Sequence, residues 1–246
     1  MRMKTACITG SSRGIGREIA LRLARGGYNL ILNTGHDETS LIALKEEIIG
    51  ITGNTDSVII SVGDIGNPDY VQKFISAGIK EFGGIDLLIN NAGISYVGLI
   101  TDMTNEDIAK VINTNLVSAI YTSRETVPSM VHNKKGHIIN ISSMWGVVGS
   151  SCEAVYSATK GGLNAFTKAL AKELAPSGIQ VNAITLGVID TDMNKCFNDE
   201  ERAQLTEEIP MGRMARPSEV ADLVLNIINS PTYLTGAIID FDGGWI

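Results

Sequence analysis

The sequence predicts an α/β protein in which one doubly wound parallel sheet is covered by helices on both faces. Short apolar segments typical of strands alternate with segments of helical periodicity along the chain. The strand segments are apolar throughout, as expected for strands buried on both faces. No repeat, low-complexity tract or linker divides the 246 residues. We therefore predict a single domain spanning residues 1–246.

Composition narrows the functional class. A hydrophobic content of 44% suffices for a buried core, and the net charge of -7 argues against non-specific nucleic-acid binding, which needs a basic surface. No apolar run approaches the roughly 18 residues that span a bilayer, and the first residues lead into a strand rather than a signal peptide. The three cysteines and three histidines show no disulfide or metal-ligand spacing. We expect a cytoplasmic enzyme that uses neither membrane nor metal.

A glycine-rich loop follows the first strand, Thr5 to Thr9, and precedes a helical pattern. It reads GSSRGIG from Gly10 to Gly16. Glycines let the backbone approach a phosphate, and the helix N-terminus offers free N–H groups and a positive dipole end. The loop therefore predicts a dinucleotide site in a Rossmann-like fold, although its spacing is looser than GxGxxG. An ordinary strand-to-helix turn is the alternative.

The second strand, Tyr28 to Asn33, ends where the adenosine ribose of a dinucleotide lies. An acidic residue there binds the ribose 2′-hydroxyl and repels a 2′-phosphate, but this chain continues with Thr34 and has its first acid at Asp37, where a helix begins. Arg13 in the glycine loop can contact a phosphate. The pattern favours NADP(H), with NAD(H) possible; Arg13 as a solvated loop residue is the alternative.

Two later strands end in loops that we expect at the same edge of the sheet. Val58 to Val62 leads to Asp64 and Ile65, and Asp64 either binds an adenine amino group or caps a turn. Ile85 to Ile89 leads to the small-residue loop Asn90-Asn91-Ala92-Gly93. Ligands of open α/β sheets bind at the carboxyl ends of the strands, so both loops are predicted to line the cofactor site.

Tyr156 and Lys160 lie four residues apart and share one face of a predicted helix. A cation beside a phenol favours its charged form and lowers its pKa from about 10, which makes Tyr156 a candidate acid/base. The pair alone is a weak signal. Upstream, a helical stretch runs from Thr104 toward Met130, and Pro128 predicts a bend or an early stop near its end.

Taken together, these motifs resemble the short-chain dehydrogenase/reductase family over essentially the whole chain. The matching features are TGSSRGIG (9–16), NNAG (90–93), Asn115 within INTNL, Ser143 thirteen residues before Tyr156, and YSATK (156–160). The resemblance implies that Tyr156 protonates a carbonyl oxygen as hydride arrives from the nicotinamide. Lys160 would lower the Tyr156 pKa and hold the nicotinamide ribose, and Asn115 would hold a water in a proton relay. Ser143 would hydrogen-bond the reacting oxygen, with Ser142 in a packing or supporting position.

The resemblance also implies a set of cofactor contacts. Thr191 would contact the nicotinamide carboxamide through its side chain and Ile189 through its backbone. The chain departs from the family nearby, with Leu186 in place of a usual proline before Gly187. The full set comprises Gly10, Ser12, Arg13, Gly14, Ile15, Gly16, Thr34, Asp64, Ile65, Asn91, Ala92, Gly93, Tyr156, Lys160, Ile189 and Thr191.

Within the family, the chain most resembles 3-oxoacyl-[acyl-carrier-protein] reductases, through GVIDTDM (187–193), the run 209–213 and the C-terminal Asp242-Gly243-Gly244. This implies reduction of a 3-oxoacyl thioester in fatty acid biosynthesis, with acyl carrier protein as a possible partner docked on Lys134, Lys135 and Lys172. Solvated surface lysines are the alternative. A reductase or dehydrogenase of a small polyol, sugar or secondary alcohol remains open, as does a non-catalytic cofactor-binding sensor.

Three further expectations concern the substrate side and assembly. Residues 190–208 are polar and predicted to form an irregular lid, with Met193 and Phe197 as acyl contacts. Trp145 either lines the substrate pocket or packs in the core. The family resemblance also implies a homotetramer built through the long helices and the C-terminal strand.

Overall fold

One parallel sheet forms the centre of the computed structural model, which describes residues 2–194 and 198–246, apart from the side chains of Met193 and Asp199. Its strands are β1 (Thr5–Ile8), β2 (Asn29–Thr34), β3 (Val58–Val62), β4 (Leu87–Asn90), β5 (Gly136–Ser143), β6 (Ile179–Leu186) and β7 (Ile238–Phe241). The strand order is β3-β2-β1-β4-β5-β6-β7, and every pair of neighbours is parallel. The predicted fold class is confirmed.

Helices connect the strands and cover both faces of the sheet. They are α1 (Gly14–Arg25), α2 (Glu38–Thr52), α3 (Pro68–Phe82), α4 (Asn105–Ile112), α5 (Ser118–Asn133), α6 (Trp145–Val148), α7 (Ala154–Leu174), α8 (Asp199–Glu208) and α9 (Pro217–Ile228). Within the described ranges, none of these helices is both long enough and apolar enough to cross a membrane.

Two hydrophobic clusters lie on opposite faces of the sheet. Ile8 and Leu30 point to a cluster shared with α1, α2 and α9, whereas Cys7 and Ile31 point to a cluster shared with α3, α5 and α7. Successive side chains of a strand point to opposite faces, so a strand buried on both faces must be apolar at every position. This is the physical reason for the uninterrupted apolar runs in the sequence.

The strand order reverses between β1 and β4, which places the loops that follow these two strands side by side. Hydrogen bonds join them directly. Asn91 Nδ2 donates to the Thr9 carbonyl at 3.0 Å and to the Gly10 carbonyl at 2.8 Å. Thr9 Oγ1 accepts from the backbone N–H groups of Asn91 and Ala92, each at 3.0 Å. The glycine loop and the NNAG loop therefore form one rigid edge.

Two predictions about local structure are wrong. The early stop at Pro128 does not occur, because α5 continues to Asn133 with Met130 fully buried against the sheet, and this packing outweighs the one hydrogen bond that proline removes. The region 190–208 is not irregular throughout. It contains α8, whose first turn is capped by the reciprocal hydrogen bonds of Asn198 and Glu201.

Gly16 and Gly50 offer a matched test of the packing at the glycine loop. A Cβ atom on Gly16 would lie 2.4 Å from the Gly10 carbonyl oxygen and 2.6 Å from Asn91 Nδ2, whereas one on Gly50 in α2 would meet nothing within 4 Å. We expect Gly16→Ala to lower the free energy of unfolding by about 1–3 kcal/mol through overpacking. Gly50→Ala should raise it by about 0.5–1 kcal/mol through helix propensity. Urea unfolding of both variants checks this, and equal stabilities would contradict it.

Candidate active site

The glycine loop has the backbone geometry of a phosphate cradle. Gly10 and Gly14 adopt positive φ values of 64° and 56°, in the left-handed region that favours glycine. A Cβ atom on Gly10 would lie 2.8 Å from the Cα of Ala92, so the two loops approach each other at backbone distance. Only a residue without a side chain fits between them.

The N-terminus of α1 opens directly onto this cradle. Its N-cap residue is Arg13, and no side chain caps the first turn. The first N–H groups of a helix lack intrahelical partners and attract anions, so Gly14, Ile15 and Gly16 fit a dinucleotide pyrophosphate. Thr191 lies across the loop, with its Cγ2 3.4 Å from where a Cβ of Gly14 would be. Buried Ile189 keeps its carbonyl in place by accepting from Asn194 Nδ2 at 2.7 Å.

The end of β2 presents hydroxyl and amide groups rather than an acid. Ser12 and Thr34 are hydrogen-bonded through their hydroxyls at 3.1 Å, and both are buried. The first carboxylate, Asp37, accepts the backbone N–H of Ser40 at 3.1 Å and thereby caps α2. This bond lowers the Asp37 pKa, and the charge of Arg13 lowers it further. The Asp37 carboxylate therefore serves as the N-cap of α2.

The loop after β3 reaches the same edge of the sheet. Asp64 accepts the backbone N–H of Gly66 at 2.8 Å and so caps a turn. Turn capping was one of the two roles predicted for Asp64; the other was binding of an adenine amino group. Its neighbour Ile65 is buried against the face formed by α3. Contact of either residue with an adenine ring stays a prediction.

Ser143, Tyr156 and Lys160 converge where β5 ends beside α7. The Lys160 side chain is buried, and its Nζ donates to the Ile141 carbonyl at 2.9 Å. The ammonium lies 5.6 Å from the centroid of the Tyr156 ring. Ser143 Oγ accepts from the Trp145 N–H at 3.2 Å, and the Ser143 hydroxyl lies close enough to Tyr156 to oppose the rise in the pKa of that phenol. The three predicted catalytic side chains therefore share one site.

Two neighbouring residues take supporting positions. The Ser142 hydroxyl donates to the Lys160 carbonyl at 3.3 Å, so it joins β5 to α7 as the sequence suggested. Leu186 is buried in β6, paired with Ser143, and its carbonyl accepts from the Met144 N–H at 2.9 Å. The residue that stands in place of the expected proline thus extends the sheet as far as Ser143.

Asn115 connects this cluster to the loop after β4, in which Ile94 directly follows the NNAG sequence. It lies buried in a π-helical turn, residues 113–117, between α4 and α5. Its amide donates to the Ile94 carbonyl and its Oδ1 accepts from the Ile94 N–H, each at 2.8 Å, while Nδ2 also reaches Thr159 Oγ1 at 3.3 Å. A Cβ atom on Gly93 would lie 3.4 Å from Asn115 Oδ1 and 3.6 Å from Lys160 Nζ. The water relay predicted for Asn115 remains a prediction.

Burial controls the ionisation of the catalytic pair. It raises the pKa of Tyr156 to about 12, partly opposed by the hydrogen bond from Ser143 and reinforced by the negative charge of Glu153. Burial also lowers the pKa of Lys160 from 10.5 to about 8. The predicted lowering of the Tyr156 pKa by Lys160 is therefore wrong for this geometry, because desolvation of the phenolate outweighs the nearby cation.

The arrangement is suited to donating a proton to an oxygen atom. At neutral pH the phenol of Tyr156 carries its proton, and the hydroxyl of Ser143 offers a second hydrogen bond beside it. Lys160 titrates close enough to neutrality to exchange a proton with its surroundings. A nicotinamide dinucleotide held on the glycine loop would supply or accept the hydride.

Sequence reasoning missed Glu153. This residue is the N-cap of α7, and its carboxylate accepts a hydrogen bond from Ser95 Oγ at 2.5 Å. The available signal was its position three residues before Tyr156, which places both side chains on one helix face.

Trp145 is half-buried and makes an edge contact with Trp245, with ring centroids 5.8 Å apart.

Some predictions fall outside the structural description. Phe197 and the side chain of Met193, predicted to contact an acyl chain, are not among the described groups. Across the described residues, no group of three or more histidine, cysteine or acidic side chains is arranged to hold a metal ion.

The buried ammonium of Lys160 makes stability depend on pH. Its pKa is lower in the folded than in the unfolded chain, so the unfolded chain binds the proton more tightly between about pH 8 and 10.5. The free energy of unfolding of the wild type should therefore rise relative to Lys160→Met between pH 7.5 and 10, by up to about 3 kcal/mol. Urea unfolding of both proteins at several pH values measures this difference. A difference independent of pH would contradict the prediction.

Comparison with known proteins shows the family to which the chain belongs. The model of the short chain dehydrogenase family matches residues 4–202. An uncharacterized oxidoreductase of Bacillus subtilis, YmfI, is 39% identical over 243 residues, which cover 98% of both chains. The 3-oxoacyl-[acyl-carrier-protein] reductase FabG of Staphylococcus aureus is 38% identical over 242 residues, covering 98% of this chain and 97% of the relative. The corresponding FabG of Vibrio cholerae is 36% identical over 243 residues, covering 98% and 96%. The chain belongs to the short-chain dehydrogenase family.

Proposed function

We propose that the protein is an NADPH-dependent reductase that converts a ketone to a secondary alcohol. One arrangement carries the proposal: the Ser143 hydroxyl, at the end of β5, lies near enough to Tyr156 to oppose the rise in its pKa, and Tyr156 stands beside the buried Lys160. Two hydroxyl donors directed at one place can stabilise the negative charge that develops on a carbonyl oxygen during reduction. A pure nucleotide sensor has no chemical need for such a pair.

Each residue has a defined task in this reaction. Tyr156 transfers its phenolic proton to the carbonyl oxygen, and Ser143 hydrogen-bonds the same oxygen. Lys160 stands beside the Tyr156 ring and returns a proton to the phenol, which its pKa of about 8 allows near neutral pH. Asn115 hydrogen-bonds the backbone of Ile94 and so keeps the loop after β4 against Lys160.

For the substrate, we infer a 3-oxoacyl thioester as the first class to test. The support is the similarity to the two FabG proteins, which are named as 3-oxoacyl-[acyl-carrier-protein] reductases and match nearly the whole chain. Acyl carrier protein is the corresponding partner, and the exposed lysines at 134, 135 and 172 offer it positive charge. The reductases and dehydrogenases of polyols, sugars and secondary alcohols have no particular observation in their favour.

The preference for NADPH rests on the surroundings of Arg13. The guanidinium is 61% exposed at the mouth of the cradle, with its nearest carboxylate, that of Asp192, 3.9 Å away. The end of β2 offers Thr34 in place of an acid, and Asp37 is committed to capping α2. A 2′-phosphate would therefore meet the guanidinium of Arg13 with no acid at the end of β2, and it would compete for that guanidinium with the carboxylates of Asp192 and Asp37.

Tyr156→Phe tests the catalytic proposal. With NADPH and a short 3-oxoacyl thioester, we expect the variant to lose about 10²–10⁴-fold in turnover, because the proton donor is gone. It should still bind NADPH, which titration of nucleotide fluorescence measures. Retained turnover would refute the assigned acid. A nucleotide-dependent output that survives the substitution would favour a sensor.

Arg13→Ala tests the cofactor preference. A charge-assisted hydrogen bond contributes about 1.5–3 kcal/mol, so the KM for NADPH should rise tenfold or more while that for NADH changes little. Arg25→Ala, at the opposite end of the same helix α1, removes an equal charge as a control. An equal rise for both nucleotides would show that Arg13 does not read the 2′-phosphate.

A further inference from the structure

A carboxylate stands at the substrate side of the candidate active site. Glu153 precedes Tyr156 by three residues as the N-cap residue of α7, and its charge acts on the Tyr156 phenol, whose pKa it raises. Ser95 Oγ holds the carboxylate at 2.5 Å, and Ser95 lies two residues after Gly93, which borders Lys160 Nζ. Glu153 therefore links the loop after β4, which carries Gly93 and Ser95, to the start of the helix that carries Tyr156.

The charge of this carboxylate is not neutralised locally. Within residues 2–194 and 198–246, no lysine or arginine comes within 4 Å of it, and its recorded hydrogen-bond donor is the neutral hydroxyl of Ser95. Its field reaches the reacting group, since it raises the pKa of Tyr156. The side chain is half-buried, where a charge is screened less than on an open surface.

The segment that bears Glu153 is fixed in place. The Cys152 carbonyl accepts from the Gly98 N–H at 2.8 Å, and Cys152 itself adopts a left-handed φ of 61°. With the Ser95 bond, this ties residues 95–98 to the start of α7. A strained backbone that persists is held by its surroundings, so the carboxylate is pre-positioned rather than free to turn to solvent.

The loop that carries Ser95 and the helix that precedes Glu153 in the chain both expose apolar side chains. Val97 and Leu99 belong to the loop that carries Ser95, and Val147 and Val148 belong to α6, which packs on α7 at Lys160; all four are more than half exposed. An apolar surface interrupted by one fixed carboxylate suits an alkyl chain that ends in a cation. It offers nothing to an anionic group.

We propose that Glu153 is a specificity-determining residue that binds an ammonium group on the ketone substrate. The inference rests on the proposed ketone reduction and narrows the substrate class, because a carboxylate at this position favours cationic ketones over neutral 3-oxoacyl chains. The ion pair stabilises bound substrate, so it acts mainly on KM.

Three ketones of equal length test this inference in the full chain with NADPH. One ends in an ammonium, one in a methyl group and one in a carboxylate. We expect kcat/KM for the aminoketone to exceed that for the methyl ketone at least tenfold, with the carboxylate poorest. Glu153→Gln should reduce the aminoketone-to-methyl ratio at least tenfold, mainly through KM. Glu153→Asp keeps the charge and should keep the order of preference.

Glu173→Gln is the matched control, since it removes the same charge from the exposed far end of α7. It should leave the ratio unchanged. Equal kcat/KM values for the three ketones, or a ratio that Glu153→Gln does not alter, would overturn the inference and leave ketone reduction intact. If no ketone or thioester is reduced in a Tyr156-dependent way, the proposed function fails and this inference fails with it.

Discussion

The site depends on one hydrogen bond, from the buried ammonium of Lys160 to the carbonyl of Ile141. A charge removed from water is costly unless it is hydrogen-bonded, so this contact determines where α7 can lie against β5. The Ser142 hydroxyl, which donates to the Lys160 carbonyl, reinforces the same junction. Because β5 carries Ser143 and α7 carries Tyr156, fixing the junction brings the two reactive hydroxyls together.

Close backbone approach makes that junction possible. A Cβ atom on Gly146 would lie 2.6 Å from the carbonyl carbon of Lys160, so α6 can rest on α7 only through a glycine. On the other side, a Cβ atom on Gly93 would be in ordinary contact with Lys160 Nζ and the Asn115 amide, at 3.6 and 3.4 Å. Gly146 is therefore the glycine that this junction needs, because it lets the backbone of α6 approach the backbone of Lys160.

The sequence could predict the structural features that depend on residues close together along the chain. The apolar runs, the glycine loop and the helix starts at Asp37 and Thr104 are local signals, and the structure contains the strands and helices they predict. The continuation of α5 past Pro128 depends on packing against the sheet, which local propensity does not contain. The direction of the Tyr156 pKa depends on burial. The π-helical turn at Asn115 requires the pairing of Asn115 with Ile94, which is 21 residues away in the sequence.

Glu153 shows why the electrostatics of such a site cannot be read from the pair of Tyr156 and Lys160 alone. The lysine donates its hydrogen bond to a backbone carbonyl and is itself desolvated, so it stabilises the phenolate weakly. Burial raises the pKa of the phenol, and the carboxylate adds to this effect. A protonated phenol is the form that can give a proton to a carbonyl oxygen. Under the proposed reduction, burial and the charge of Glu153 therefore act together to keep Tyr156 in its acid form.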